Sequence, residues 1–280
     1  MASRSFQRRL RRWPSFALAA VSILVLAFLV IPIVIVIPMS LTGSDYLEFP
    51  PSSFSLRWYR TYFTDHDWTD PTLLSLRIAS LVALTATVTG AMASLAIARS
   101  RLSGSNLVAA LIAAPMVTPA IITAVAYYLF LSRLNLVGTT LGFVIAHTLM
   151  TLPMVIFTVL ATLQRIDPRL EVVALSLGAS MRMSLWRVTL PLALPGILVG
   201  AAFAFITSFD EATVSFFVST ASGKPLPKKL FEGIEWELSP VIAAVSSLLT
   251  LISLALVVLL EFGRKFERGK GGKAGDHAVG

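Results

Sequence analysis

The sequence predicts an all-α, polytopic membrane protein with six transmembrane helices. First, 56% of its 280 residues are hydrophobic and only 14% are charged, whereas a soluble domain of this size needs a more polar surface. Second, the apolar residues come in blocks long enough to cross a bilayer as helices, which takes roughly 20 residues. Third, the basic residues behind the net charge of +8 concentrate beside these blocks. We expect one membrane domain at 16–261, between a basic tail at 1–15 and a basic, Gly-rich, disordered tail at 262–280.

The first apolar block, residues 16–39, follows the arginine-rich tail. A cleaved secretory signal peptide is the alternative interpretation. The block is too long for the apolar region of such a peptide, and no convincing small-x-small cleavage motif precedes Ser40. The sequence therefore favours an uncleaved first span.

Five further apolar blocks have the length of a membrane span. Pro115 and Pro119 fall inside the third block of the chain, where each removes a backbone donor and can bend the helix. The polar segment at 40–72 is rich in Trp and Tyr, which favour the membrane interface. The expected spans are 16–39, 73–98, 106–131, 140–163, 191–216 and 239–261.

Six spans place both termini on one side of the membrane. The two tails, the loop at 99–105 and the segment at 164–190 hold most of the Lys and Arg residues. Cytoplasmic loops carry an excess of these residues, so we expect an N-in, C-in orientation.

The inner segment at 164–190 is expected to form two short helices. Asp167 can cap the first helix, with Pro168 at the first helical position and Glu171 in the first turns, where the helix dipole favours an acid. Gly178 supplies the left-handed residue that stops this helix. Ser180 can cap a second helix, expected at Met181–Val188, before Pro191 opens the fifth span.

This pair of helices presents an apolar face toward the cytoplasm. An exposed apolar face of this kind is typical of a docking site. The alternative is a helix pair that lies on the membrane interface, anchored by Arg182 and Arg187. The residues alone leave both open; the face comprises Val172, Val173, Leu177, Met181 and Leu185.

The segment resembles the signature loop of binding-protein-dependent ABC importer permeases: Glu-Ala-Ala, three residues, Gly, nine residues and Ile-x-Leu-Pro. Gly178 matches the glycine, and nine residues separate it from Val188–Pro191. The glutamate position holds Val172, and the acid stands one residue earlier, at Glu171. In the family this loop inserts a coupling helix into a groove of the ATPase subunit. The resemblance therefore implies ATPase-coupling roles for Glu171, Ala174, Gly178, Ala179, Met181, Leu185 and Pro191.

Further segments resemble the spermidine/putrescine branch of these permeases, although they are shared with permeases for other small organic solutes. The resemblance implies a type I importer fold in a bacterial inner membrane and a path for a small organic solute, most simply a polyamine. It also implies two ABC ATPase subunits that bind ATP and Mg, and a periplasmic or lipid-anchored solute-binding protein. A second permease subunit is implied as well, either a different homologous chain, which is usual in this branch, or another copy of this one. The segments are Phe54–Tyr59, Ser75–Ala79, Ser208–Glu211, Leu226–Pro227 and Ser239–Ala244.

Asp210 and Glu211 are adjacent acids near the outer half of the expected fifth span. A carboxylate inside a membrane span is costly unless it faces a cavity or a partner, so both acids are candidates for the solute path. Two anions near an outer opening would suit a polycationic solute. The alternative is that the helix has nearly left the membrane, and that both acids are solvated or pair with Arg77.

Two aromatic residues complete the candidates for the solute path, namely Phe209 and Tyr127. Tyr127 could offer its ring to a cation, but it is more simply explained as an interface anchor at the end of the third span. His147 is a lone histidine, for which a packed or hydrogen-bonded role is favoured over a functional one.

The residue inventory argues against an enzyme and against a cofactor on this chain. It has no cysteine, no Gly-rich phosphate loop, no metal-ligand cluster and no nucleophile–base pair, so ATP hydrolysis is expected on a partner chain. Its basic residues concentrate beside the spans, where they indicate topology, so membrane lipid and not nucleic acid is the expected partner. A secondary transporter or channel is the alternative class. It would need acids deep in the spans, where only Asp210 and Glu211 are candidates.

Overall fold

The computed structural model describes residues 3–99, 105–220 and 223–255, and within these ranges the chain is helical and contains no β-strand. The all-α fold class that the sequence predicts is confirmed. A π-helical segment, Leu185–Thr189, continues α8 into α9. The α-helices are α1 (Ser3–Ser40), α2 (Arg57–Thr64), α3 (His66–Arg99), α4 (Ser105–Val117), α5 (Ala120–Arg133), α6 (Thr140–Leu163), α7 (Arg169–Ser176), α8 (Met181–Ser184), α9 (Leu190–Phe209), α10 (Thr213–Val218), α11 (Leu226–Trp236) and α12 (Pro240–Ala255).

The long apolar helices coincide with the apolar blocks of the sequence. The pair α4 and α5 adds a fifth candidate span if its two parts cross together. The apolar helix α12 is shorter, and the expected end of the sixth span at 261 lies outside the described residues. The count of six spans and the orientation therefore stay predictions. Among the residues that the structure describes, four helical stretches are long and apolar enough to cross a membrane alone: Phe16–Ser40, His66–Arg99, Thr140–Leu163 and Met181–Phe209.

The third expected span is broken rather than straight. Its two helices, α4 and α5, meet at an angle of 106°. The break lies at Thr118 and Pro119, where the backbone of Pro119 is extended, with ψ 131°. A proline lacks an N–H and disfavours helical geometry in the residue before it. Pro115 lies within α4 without ending it, so Pro119 is the proline that marks the bend.

Helices α3, α6 and α9 pack together within a compact unit, His66–Glu232. A Cβ atom on Gly90 of α3 would lie 2.7 Å from Val155 Cγ1, and one on Gly196 of α9 would lie 2.1 Å from Thr162 Oγ1. Val155 and Thr162 both belong to α6, so these glycines allow the helix backbones to approach closely. A buried cluster fills the junction: Ala86, Val155, Val159, Leu163, Ala193 and Ala204.

Helix α9 ends at Phe209, so the expected single helix over 191–216 is wrong at its end. The backbone turns at Asp210, and the Oε1 atom of Glu211 then accepts a hydrogen bond from the backbone N–H of Val214 at 2.9 Å. This contact caps the start of α10. The apolar residues after Glu211, which extended the expected span, form a separate short helix.

The described residues before and after that unit, 3–65 and 233–255, include α1 and a loop that follows it. Every side chain of α1 from Phe16 to Val34 is exposed. A helix that is apolar on all sides and exposed suits contact with lipid.

The loop after α1 is closed by the carboxylate of Glu48. Its Oε1 atom accepts hydrogen bonds from the hydroxyl groups of Thr42, Ser44 and Ser52 and from the backbone N–H of Ser52. Thr42 also pairs with Phe54 in an isolated antiparallel bridge. Four donors on one oxygen hold the loop in a single shape.

Candidate functional site

The first part of the candidate docking segment is helix α7. The Oδ1 atom of Asp167 accepts a hydrogen bond from the backbone N–H of Arg169 at 2.9 Å, so Asp167 supplies the expected side-chain acceptor, although it stands one residue before the capping position. Pro168 is the residue before the helix rather than its first residue. The first N–H groups of a helix have no partner within the helix. The carboxylate of Asp167 supplies one for Arg169 and so stabilises the start of α7.

Gly178 ends α7 as the sequence predicts. Its φ angle is +87°, in the left-handed region that favours glycine. The N–H of Gly178 donates to the carbonyl of Leu175 at 3.0 Å, and the N–H of Ala179 donates to that of Ala174 at 3.1 Å. This pair of bonds is the Schellman arrangement, which satisfies the last carbonyls of the helix.

The second part of the segment differs from the prediction. The hydroxyl of Ser180 accepts from the N–H of Met183 at 3.3 Å, so the predicted cap is confirmed. However, the separate helix expected at Met181–Val188 is wrong, because the helix passes through the π segment into α9 without a break. Pro191 fits into this continuous helix because the α-helical hydrogen-bond pattern is already interrupted just before it. The N–H of Leu190 donates to the carbonyl of Leu185, five residues back, as in a π-helix.

The apolar face of the segment is exposed. Leu177 is 83% exposed and Met181 is 53% exposed, and Val172 and Val173 are exposed beside them on α7. Leu185 is half-buried, so it lies at the margin of this face. The sequence interpretation missed Trp186, which is 67% exposed next to Arg187. A tryptophan among basic residues, outside the apolar blocks, is the pattern that would have identified it.

Glu171, whose role the sequence left open, is directed at two neighbouring elements. Its Oε1 atom accepts a hydrogen bond from Arg99 Nη2 at 2.6 Å and one from Thr189 Oγ1 at 2.5 Å. Partial burial raises the pKa of Glu171, but the hydrogen bonds from Thr189 and Arg99 and the charge of Arg99 outweigh this effect and lower it below its ordinary value. Glu171 is therefore an ionised carboxylate at neutral pH.

The two candidate acids of the solute path lie at the end of α9 rather than inside it. Asp210 is exposed, whereas the half-buried Glu211 caps α10. Within the ranges that the structure describes, neither acid forms an ion pair with Arg77 or with another cation. Asp210 is thus a free carboxylate at the end of a long apolar helix.

The aromatic path candidates are held by packing. The ring of Phe209 stacks on that of Phe205, with centroids 6.1 Å apart and an angle of 8° between the planes. Tyr127 is half-buried on α5 and packs against a separate buried cluster. The structure thus keeps Phe209 beside the two acids and places Tyr127 among core residues of α3, α5, α6 and α10, including Ile78, Ala124, Phe143 and Val214.

The chain is similar to known transport proteins over most of its length. Residues 86–266 match the family described as binding-protein-dependent transport system inner membrane component. The spermidine/putrescine transport system permease protein PotC of Haemophilus influenzae is 34% identical over 238 residues, which cover 84% of this chain and 91% of PotC. The putrescine transport system permease protein PotI of Escherichia coli is 29% identical over 229 residues, 79% of this chain and 81% of PotI.

The fold is also similar to that of a solved transporter. The structure superimposes with a TM-score of 0.71 on a chain of a bacterial ABC transporter involved in the import of the acidic polysaccharide alginate. The match covers 92% of this chain and 98% of the other, at 15% sequence identity.

Proposed function

Because the chain belongs to the family of binding-protein-dependent inner membrane transport components, the permeases of ABC importers, we propose that it forms the translocation path for a polyamine and is driven by ATPase subunits docked on residues 164–190. ATP and Mg would bind to two such subunits, and a second permease chain would complete the path. A solute-binding protein would deliver the solute. Membership of this family favours the importer over a secondary transporter that acts alone.

The observation that carries the docking proposal is the capped, apolar and exposed helix α7. It begins at a side-chain cap and ends in a glycine turn, so its exposed residues are held in one arrangement. A rigid apolar surface of this kind can enter a groove on a partner without a large ordering cost. The same segment carries the glycine and proline spacing of the importer permeases, at Gly178 and Pro191.

Movement of the docked segment would be passed on to the spans. The segment joins α9 through an unbroken helical path, Met181–Phe209. Closure of the ATPase subunits would therefore pull on α9 and rock it against its neighbours, which is a rigid-body route to alternating access.

Co-purification tests the docking proposal. Leu177→Asp should abolish retention of an ATPase subunit, because it places a charge at the centre of the apolar face while removing little packing. Leu56→Asp makes the same substitution at a leucine that is 67% exposed and lies outside residues 164–190, so it should leave retention unchanged. Equal retention by the wild type and by Leu177→Asp would refute docking at this face. Transport by the chain alone would refute the importer mechanism.

The polyamine proposal rests on the relatives and on Asp210. The two relatives named above carry spermidine or putrescine in their names. Asp210 is exposed and has no ion-pair partner among the described residues, and a polycation is the solute that a carboxylate of this kind attracts.

Transport assays with purified importer in vesicles test the solute. Asp210→Asn should reduce spermidine uptake, whereas Glu235→Gln, at an exposed acid of α11, should leave it unchanged. Spermidine uptake that is normal in Asp210→Asn would remove this acid from the path. Thermal stabilisation of the partner binding protein by polyamines, but not by amino acids or opines, would identify the solute class independently.

A further inference from the structure

Three side chains from distant parts of the sequence meet at the base of helix α7. Arg99 Nη2 donates to Glu171 Oε1 at 2.6 Å and to Thr189 Oγ1 at 3.2 Å, and Thr189 Oγ1 donates to the same carboxylate oxygen. Arg99 is 72 residues from Glu171 and 90 residues from Thr189 along the chain. The contacts therefore close a triangle between the last residue of α3, the first turn of α7 and the π segment.

The triangle is only partly exposed to solvent. The side chains of Arg99 and Glu171 are 29% and 21% exposed, and Thr189 is buried. Leu95 of α3 and Ile166 pack against the buried cluster at the junction of α3, α6 and α9, close in sequence to the two charged residues. An ion pair that is partly buried and supported by a hydroxyl is less screened than a surface pair, so it can fix the relative positions of its elements.

The π segment aligns Thr189 with this triangle. Ser184 and Thr189 are both buried although they are five residues apart, and the buried face then continues through Ala193, Gly196 and Gly200. In a regular α-helix, positions four rather than five apart share a face. The extra residue in the π segment is therefore what brings Thr189 onto the buried face, where its hydroxyl bonds to Glu171.

Glu171 is turned away from the candidate docking face. It is half-buried, as is Ala174 one turn later, whereas Val172, Val173 and Leu177 are exposed. The carboxylate thus contacts its own chain on the side of α7 that faces α3.

We propose that Arg99, Glu171 and Thr189 form a latch that transmits the movement of the docked segment to α3 as well as to α9. In this proposal, which rests on the docking function above, Glu171 is a positioning residue and not a contact of the ATPase. Without the latch, α7 would still dock, but its displacement would be absorbed by the loop around Ile166 instead of moving α3.

The test measures docking and coupling separately in the assembled importer. Glu171→Gln keeps the shape of the side chain but removes the charge. We expect it to retain the ATPase subunit as the wild type does, and to lower the amount of solute imported per ATP hydrolysed. Glu235→Gln makes the same chemical change at an exposed acid of α11, outside the docking segment, and should change neither quantity.

A charge exchange adds a second arm. Arg99→Glu and Glu171→Arg should each impair coupling, and the double variant should recover part of it, because the ion pair is restored in reverse. Equal defects in the single and double variants, or normal coupling in Glu171→Gln, would overturn the latch. Loss of ATPase retention in Glu171→Gln would also overturn it, since Glu171 would then be a docking contact. A wild type that retains no ATPase subunit would instead refute the docking proposal.

Discussion

The Nδ1 atom of His147 lies 2.9 Å from the hydroxyl oxygen of Ser208, and both side chains are buried. The contact joins α6 to the last turn of α9. The imidazole ring also packs edge-on against Phe143, with the ring centroids 6.0 Å apart. His147 is thus the packed and hydrogen-bonded residue that the sequence favours, and it holds the end of α9 just before the turn at Asp210.

Ser208→Ala should lower the free energy of unfolding by about 1–3 kcal/mol, because it leaves a buried ring nitrogen of His147 without a partner. Thermal unfolding of the detergent-purified chain measures the effect. Ser132→Ala is the matched control, since the Ser132 hydroxyl is exposed and bonds only to its own helix. The double variant His147→Leu with Ser208→Ala should cost less than the sum of the two single changes. Equal stabilities of Ser208→Ala and Ser132→Ala would show that the contact contributes nothing.

Gly90→Ala should destabilise the packing of α3 on α6 by about 1–3 kcal/mol, the usual cost of overpacking. The new methyl group would meet Val155 Cγ1 at 2.7 Å. Val155→Ala removes that atom, so combining it with Gly90→Ala should recover part of the loss. Unfolding temperatures of the three variants test this coupling. The contact would be contradicted if the double variant lost more stability than the two single variants lose together.

Gly178→Ala should weaken the docking segment through the backbone alone. No atom lies within 4 Å of the position of an added Cβ, but φ is +87°, which costs an alanine about 1–2 kcal/mol. Asparagine tolerates this conformation better. Retention of the ATPase subunit should therefore decrease in the order Gly178, Gly178→Asn, Gly178→Ala. If the Gly178→Ala variant retains the ATPase subunit better than the Gly178→Asn variant, the backbone conformation of this turn does not determine docking.

The loop after α1 should be loosened by acid. Hydrogen bonds from the side chain of Ser44 and from the side chain and backbone of Ser52 lower the pKa of Glu48 from 4.5 to about 2. Because this pKa is lower in the folded loop, the contribution of Glu48 is complete above pH 4.5 and is lost progressively as the pH falls toward about 2. Hydrogen exchange of residues 41–56 should show constant protection above pH 5 and declining protection below it, after correction for the intrinsic exchange rate.

Glu48→Gln provides the control for that experiment. It removes the titrating group, so the protection of the loop should be lower throughout and should no longer depend on the protonation of residue 48. A wild-type loop whose corrected protection is the same at pH 6 and at pH 3 would contradict the assigned role of Glu48.

Much of the architecture could be predicted because it depends on composition and on local chemistry. Apolar blocks of span length became the long helices, and the caps at Asp167 and Ser180 and the stop at Gly178 were recognisable because their acceptors and conformations are local. Pro119 was identifiable as a possible bend, although its angle of 106° depends on neighbours that a sequence does not reveal.

The features that were missed depend on contacts distant in sequence or on a shift in hydrogen bonding. Glu171 finds its partner 72 residues away, at Arg99, so the function of its carboxylate could not be deduced from the motif alone. The end of α9 at Phe209 was obscured because the residues after Glu211 are as apolar as those before Asp210. The π segment leaves no trace in composition, since the residues Leu185–Thr189 are equally suited to an α-helix.

The π segment has weaker backbone hydrogen bonds than an α-helix, but it sets the direction of the helix that precedes it relative to α9. Deleting one residue from Leu185–Thr189 would let the backbone close into regular α-helix, with better hydrogen bonding than the π geometry allows. The same deletion would rotate everything before it by about 100° relative to α9, the angle that one residue spans in a helix. The shortened protein would gain helix hydrogen bonds but lose the contacts of Thr189 with Glu171 and Arg99. It should therefore be unable to direct the proposed docking face and the proposed latch at their partners at the same time, and solute uptake should fall.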